Sequence, residues 1–276
     1  MEMEQRQIVR KRLFRLMYPA LKWIIGLIGL MYLFHLVVCY VDSPMEILSY
    51  LGGLSVLTFL FLLIATFTLH FRMYHRIPLY FAMTVEVVNW VDFYAELPWD
   101  SDGYFLFMFC LTGVYVIMAL WSFIRSSWRG HQEDKPLPLS AAEAEHQTRR
   151  DRFYYKLELS LLKVIPMVIA GMYVFDTVLY CLDISMAVPS FLFGTSLLPL
   201  LFIYLSSYVF QFCTHHRIFI YYVFVINLLN YLSLYPTFQF SDTKMVAIQL
   251  IIAGVSLFLI LYFYVKNHQK AASAAA

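Results

Sequence analysis

Two His-Arg pairs, His75-Arg76 and His216-Arg217, are the sharpest chemical signal in a sequence that otherwise spaces its charges widely. Each pair stands at a break of about four residues between apolar runs, where cations favour the exposed carbonyls and negative pole of a preceding helix. The same side chains could instead bind phospholipid headgroups or an acidic partner at a membrane surface. Beside the second pair, Cys213, His215 and His216 supply thiolate and imidazole, ligand types that suit zinc. Three ligands within four residues are hard to aim at one ion, and the matching stretch offers only His70 and His75. No metal and no other cofactor is therefore expected.

A second group of polar residues lies inside apolar runs. His35 and Asp176 occupy matching places in two such runs, and a carboxylate at the bilayer centre costs about 2.5 to 3.5 kcal/mol on insertion scales. Either the two pair across the molecule, or each snorkels outward or bonds locally. Glu86 and Asn89 share one helix face at i, i+3 spacing, as do Asn227 and Asn230. Polar residues so placed bind helices together, or they line a path for a solute or proton, with Glu86 the only carboxylate in that stripe. Gly53, Ser55, Gly194 and Ser196 are small enough to allow close helix packing. No HExxH, GxSxG or Walker A motif and no paired carboxylate box is found, so the reading is non-enzymatic.

The elements that must carry these residues are membrane helices. The chain is 61% hydrophobic and 14% charged, with a mean hydropathy of +0.68, too few charges to cover a soluble core. Its apolar residues come in runs of about twenty, the length that crosses roughly 30 Å of hydrocarbon. The runs predict helices near 21–42, 50–71, 77–94, 104–124, 161–182, 190–212, 217–235 and 245–265. With the N-terminus in the cytoplasm, only Lys244 of the twenty Lys and Arg falls outside, as the positive-inside rule requires. This predicts an all-α polytopic bundle of eight transmembrane helices in a bacterial inner membrane, both termini cytoplasmic. No small-residue cleavage site follows the first apolar stretch, Trp23 to Val41, so that helix is expected to stay. The expected organisation is a basic segment 1–20, a four-helix repeat 21–125, a cytoplasmic linker 126–155 containing a short Ala/Glu helix, a second repeat 156–268, and an expression tail 269–276. Four cysteines, Cys39, Cys110, Cys181 and Cys213, lack CxxC spacing and read as packing thiols, with a Cys39–Cys181 disulfide as an alternative.

An offset of 141 residues aligns the chain with itself: Lys22 meets Lys163, Met31-Tyr32 meets Met172-Tyr173, Asp42 meets Asp183, His75-Arg76-Ile77 meets His216-Arg217-Ile218, and Asn89 meets Asn230. Matched polar residues at one constant offset indicate tandem duplication. Because each unit has an even number of helices, the copies are expected to be parallel and related by a pseudo-two-fold along the membrane normal. The second half, from LLKVIPMVIAGMYVFDTVLYCLDIS through THHRIFIYYVFVINLLN to LIIAGVSLFLILYFYVK, resembles small four-helix membrane proteins encoded on phages and mobile elements of Bacteroidales gut bacteria. That resemblance implies a membrane protein of phage or mobile-element origin and brings no catalytic residues with it. The expected function is membrane interaction and assembly, with the bilayer, anionic headgroups and a homo-oligomer or other membrane protein as partners, and no nucleic acid. The alternative is a solute or ion transporter or channel whose path follows the third and seventh helices.

Overall fold

The computed structural model describes residues 16–34, 53–95, 101–129, 141–182, 194–232 and 241–275. Among these residues the chain is all-α, with eight helices: α1 Leu16–Phe34, α2 Val56–Thr68, α3 Met73–Ala95, α4 Ser101–Arg129, α5 Ala141–Cys181, α6 Leu197–Val209, α7 Thr214–Leu232 and α8 Asp242–Ala275. Four of them, α1, α4, α5 and α8, contain a stretch long and apolar enough to cross a bilayer. The molecule is a helical membrane protein.

The other four helices are shorter or less apolar over their described residues. α2 and α6 have 13 residues each, so at 1.5 Å per residue they reach about 20 Å, short of the roughly 30 Å of hydrocarbon. The apolar runs at 50–71 and 190–212 are longer than the helices they contain because each helix begins only after a Ser N-cap, Ser55 or Ser196. Ser55 caps in the usual way, its Oγ accepting from Thr58 N–H at 3.3 Å. Ser196 has no such bond, because the position equivalent to Thr58 is Pro199, which has no N–H. α3 and α7 carry the His-Arg pairs and the Glu and Asn stripe, and these polar residues make their described stretches less apolar than the four crossing helices.

Both short helices end in the same motif. His70 and Gln211 adopt left-handed backbones, φ 53° and 54°. Phe71 N–H then reaches Thr66 O, and Phe212 N–H reaches Ser207 O, each at 2.9 Å. These six-to-one bonds, with His70 N–H to Phe67 O and Gln211 N–H to Tyr208 O, form Schellman caps. A non-glycine residue in this region costs about 1–2 kcal/mol, a strain present at the same place in both halves.

One core joins the halves: Ile25 and Ile28 of α1, Phe61 and Leu62 of α2, and Leu79 of α3 belong to the same buried cluster as Leu162, Phe202, Ile203 and Ile220. α2 also reaches α5 through Thr68 Oγ1, which donates to Glu158 Oε2 at 2.8 Å. The outer helices α4 and α8 are clad in exposed apolar side chains, Phe109, Ile117, Ile251 and Phe258 among them, a surface suited to lipid. The expected short Ala/Glu helix is instead the start of α5, which runs unbroken for 41 residues into its membrane stretch. α4 reaches Arg129, so helix occupies all of the expected 126–155 linker except 130–140, which lies outside the described residues. α8 likewise continues through the expected tail to Ala275.

Candidate functional site: two polar clusters at the junction of the halves

The helices bring Glu86 and Asn227 to equivalent places beside the N-termini of the two short helices. In the first half, Tyr32 of α1 donates its hydroxyl proton to Glu86 Oε1. The same oxygen accepts the Leu54 N–H at 3.4 Å, just before α2. In the second half, Asn227 Nδ2 donates to Thr195 Oγ1 at 2.8 Å, and the Tyr173 hydroxyl donates to Asn227 Oδ1 at 3.2 Å. Thr195 N–H donates to the Tyr173 hydroxyl at 3.2 Å. Each cluster therefore uses a tyrosine from the first helix of its unit, the backbone just before the short helix, and one polar side chain from the third. Tyr32, Leu54 and Thr195 are buried, and Glu86 and Asn227 are half-buried. Within such an interior every polar group needs a partner.

The clusters meet where the halves touch. Leu54 and Thr195 form an antiparallel bridge. The hydroxyl of Ser196, released from capping its own helix, donates to Gly53 O at 2.5 Å. In return Thr58 Oγ1 donates to Gly194 O at 3.4 Å. Gly53 and Gly194 thus serve as carbonyl acceptors at a backbone crossing, a more specific role than the helix packing expected of them. Two helix N-termini, each a positive pole, lie side by side here, and the Glu86 carboxylate beside the first is well placed against that field.

Elsewhere the polar stripe bonds helices together. Gln249 of α8 donates to Asn230 Oδ1 at 3.2 Å, and Thr177 of α5 donates to Gln249 Oε1 at 3.3 Å. Asn89 is half-buried on α3. Asp176 is exposed on α5, whereas His35 lies outside the described residues, and with it their expected pairing. Among the described residues Cys181 has no disulfide partner, and Cys39 lies outside them, so the alternative Cys39–Cys181 pairing does too.

At the opposite end of the short helices, the His-Arg pairs face inward. Arg76 Nη2 donates to Thr66 O at 3.3 Å, satisfying a terminal carbonyl of α2, and its guanidinium lies 3.8 Å from the Phe67 ring centre. Arg217 lies 4.1 Å over Tyr208 in the same manner. Their Nε atoms are buried without a hydrogen-bond acceptor among the described residues, a cost that the cation–π contact offsets. The His75 ring packs against Tyr74 and the His216 ring against His215, tilted by 46° and 45° with ring centres 4.2 Å apart in both cases. Burial, then Lys22 and Arg72, holds His75 down to about 4. Burial, then His215 and Lys163, does the same for His216. The Cys213, His215 and His216 ligand atoms lie within 4.8 Å of one another, closer than their sequence spacing suggested.

Sequence reasoning picked out Glu86 and Asn227 but missed the roles of Tyr32, Tyr173, Thr195 and Thr58. The tyrosines were visible only as a matched pair at the 141-residue offset. Comparison with protein-family models, with curated proteins and with solved structures finds no match for this chain.

Proposed function

We propose that this chain is a non-enzymatic membrane interaction and assembly protein: two parallel four-helix units, duplicated in tandem, clasped through the N-termini of their short second helices. α1, α4, α5 and α8 cross the bilayer as continuous apolar helices, and the α2–α3 and α6–α7 pairs complete each unit between them. By the charge rule the turns bearing the His-Arg pairs and both ends of the chain face the cytoplasm of a bacterial inner membrane. A phage or mobile-element origin, with a role in altering or partitioning the host membrane, fits a protein whose polar residues serve packing.

One observation carries this reading. Glu86 and Asn227, the residues best suited to line a path, are engaged by a tyrosine and by the backbone or side chain at a short-helix N-terminus. Neither lines the large groove beside α3.

A second reading, a small-solute or ion path, has its own support: partial-length helices whose N-termini meet are a recurrent way to build ion and anion sites inside membranes. Flux from proteoliposomes separates the two. Wild type and Glu86→Gln are expected to leak no faster than empty vesicles across a panel of monovalent ions and protons. Flux in wild type that Glu86→Gln abolishes would establish the path instead.

A further inference from the structure

The first half carries a feature that is separate from the junction. A groove of about 910 Å³ runs between α3 and α4, closed in part by Phe59 of α2. Its walls are mostly apolar, with Ile77, Met83 and Val87 on α3 and Met118 on α4. One mouth is cationic: Arg72 and Arg125, both exposed, flank it together with Ser122 and Ser126. Arg72 Nη1 donates to Ser126 Oγ at 3.0 Å, which draws the two walls together at that end.

The dimensions match part of a bilayer. Along α3 the lining extends from Met73 to Val87, about 21 Å at 1.5 Å per residue. One leaflet contributes about 15 Å of a roughly 30 Å hydrocarbon layer. Trp121, on the α4 wall and 67% exposed, lies one turn before Arg125, and indole rings favour the headgroup level. A guanidinium pair above an apolar trough complements an anionic phosphate with a hydrocarbon tail, since arginine presents a planar fork of donors to phosphate.

The second half does not repeat the arrangement. At the 141-residue offset Arg72, Ser122 and Ser126 become Cys213, Phe263 and Asn267, and only Arg125 keeps its charge, as Lys266. The arginines of the His-Arg pairs cannot take this role, because Arg76 and Arg217 are turned inward over aromatic rings. We propose that the α3–α4 groove binds one anionic phospholipid of the adjoining leaflet, its phosphate between Arg72 and Arg125 and an acyl chain lying along the groove. The inference needs only that α3 and α4 lie in the bilayer, and it stands whether the junction is a clasp or a path.

The test is native mass spectrometry of the detergent-purified full chain, titrated with phosphatidylglycerol or with phosphatidylcholine of the same acyl chains. One phosphatidylglycerol per chain should be retained at lipid concentrations at least tenfold lower than phosphatidylcholine. Arg72→Gln with Arg125→Gln should abolish that preference. Filling the groove from either wall, by Met118→Trp or Val87→Trp, should expel the lipid while both arginines remain, and one filled variant that still elutes as a single species suffices. Equal retention of the two lipids overturns the proposal. So does a preference that survives the arginine changes, or one lost with the arginines yet untouched by groove filling, which would be general surface attraction.

Discussion

At the scale of residues, a carboxylate and an amide, Glu86 and Asn227, make equivalent contacts in the two halves of the chain. The Glu86 Oε1 oxygen accepts, and its neighbours are donors: the Tyr32 hydroxyl and the Leu54 N–H. Asn227 also donates, so the opposite position holds Thr195, whose hydroxyl can accept. The two histidines offer a test at this scale. His75 and His216 are held near 4 against an ordinary 6.5, so folding favours the neutral ring. Above pH 6.5 their contribution is fully present; as pH falls from 6.5 towards 4 the unfolded chain takes up protons that the folded one refuses, and stability drops. Denaturation in detergent at pH 7 and pH 5 should show this loss, and the His75→Gln, His216→Gln double variant should show a smaller one. The candidate residues of this end were legible because His-Arg recurs. Their inward orientation was not, since Thr66 and Phe67 take part only once the turn folds α3 back over α2. The tyrosine contacts join residues 54 positions apart in each half, a separation that no local pattern encodes.

At the scale of elements, apolarity overstates length. A hydropathy run continues through Gly53 and Ser55, but helix begins only at Val56, where the Ser55 hydroxyl satisfies a free N–H. The order of the helices was therefore readable from apolar runs, and the length of each continuous helix was not. Ser196 and Pro199 did carry a readable sign: a cap residue followed three positions later by proline has lost a bonding partner, and its hydroxyl must look elsewhere. Packing between elements supplies a sharper prediction. A Cβ on Gly29 of α1 would lie 2.5 Å from the Pro78 Cβ and 3.3 Å from its Cα, whereas one on Gly26 meets nothing within 4 Å. The proline ring cannot rotate away, so Gly29→Ala should destabilise the protein by about 1–3 kcal/mol through overpacking. Gly26→Ala should be neutral or slightly stabilising, by up to about 1 kcal/mol, from helix propensity. Unfolding midpoints of the two variants in SDS titration check the contrast.

At the scale of the whole molecule, residues 141 apart share the bounds of the two short helices, the starts of α3 and α7 and of α4 and α8, a left-handed residue and a Schellman cap. This correspondence was legible because polar residues recur at a constant spacing. The contact between the halves was not, because Gly53 and Gly194 take part through carbonyls and Leu54 and Thr195 through backbone pairing, groups that any residue possesses, and the Ser196 and Thr58 hydroxyls find them only in the folded chain. The proposed clasp consists of that contact, and a disulfide measures it directly. In an antiparallel bridge the facing Cα atoms lie about 4.5–5.5 Å apart, inside the 4.4–6.8 Å range of disulfides. The measurement replaces the four native cysteines with serine, introduces Leu54→Cys and Thr195→Cys together, and adds a protease site within 130–140. After oxidation in membranes and cleavage, the two halves should migrate as one band that separates on reduction, while either single cysteine leaves them apart. Halves that separate without reduction, despite an intact fold by circular dichroism, would contradict the clasp.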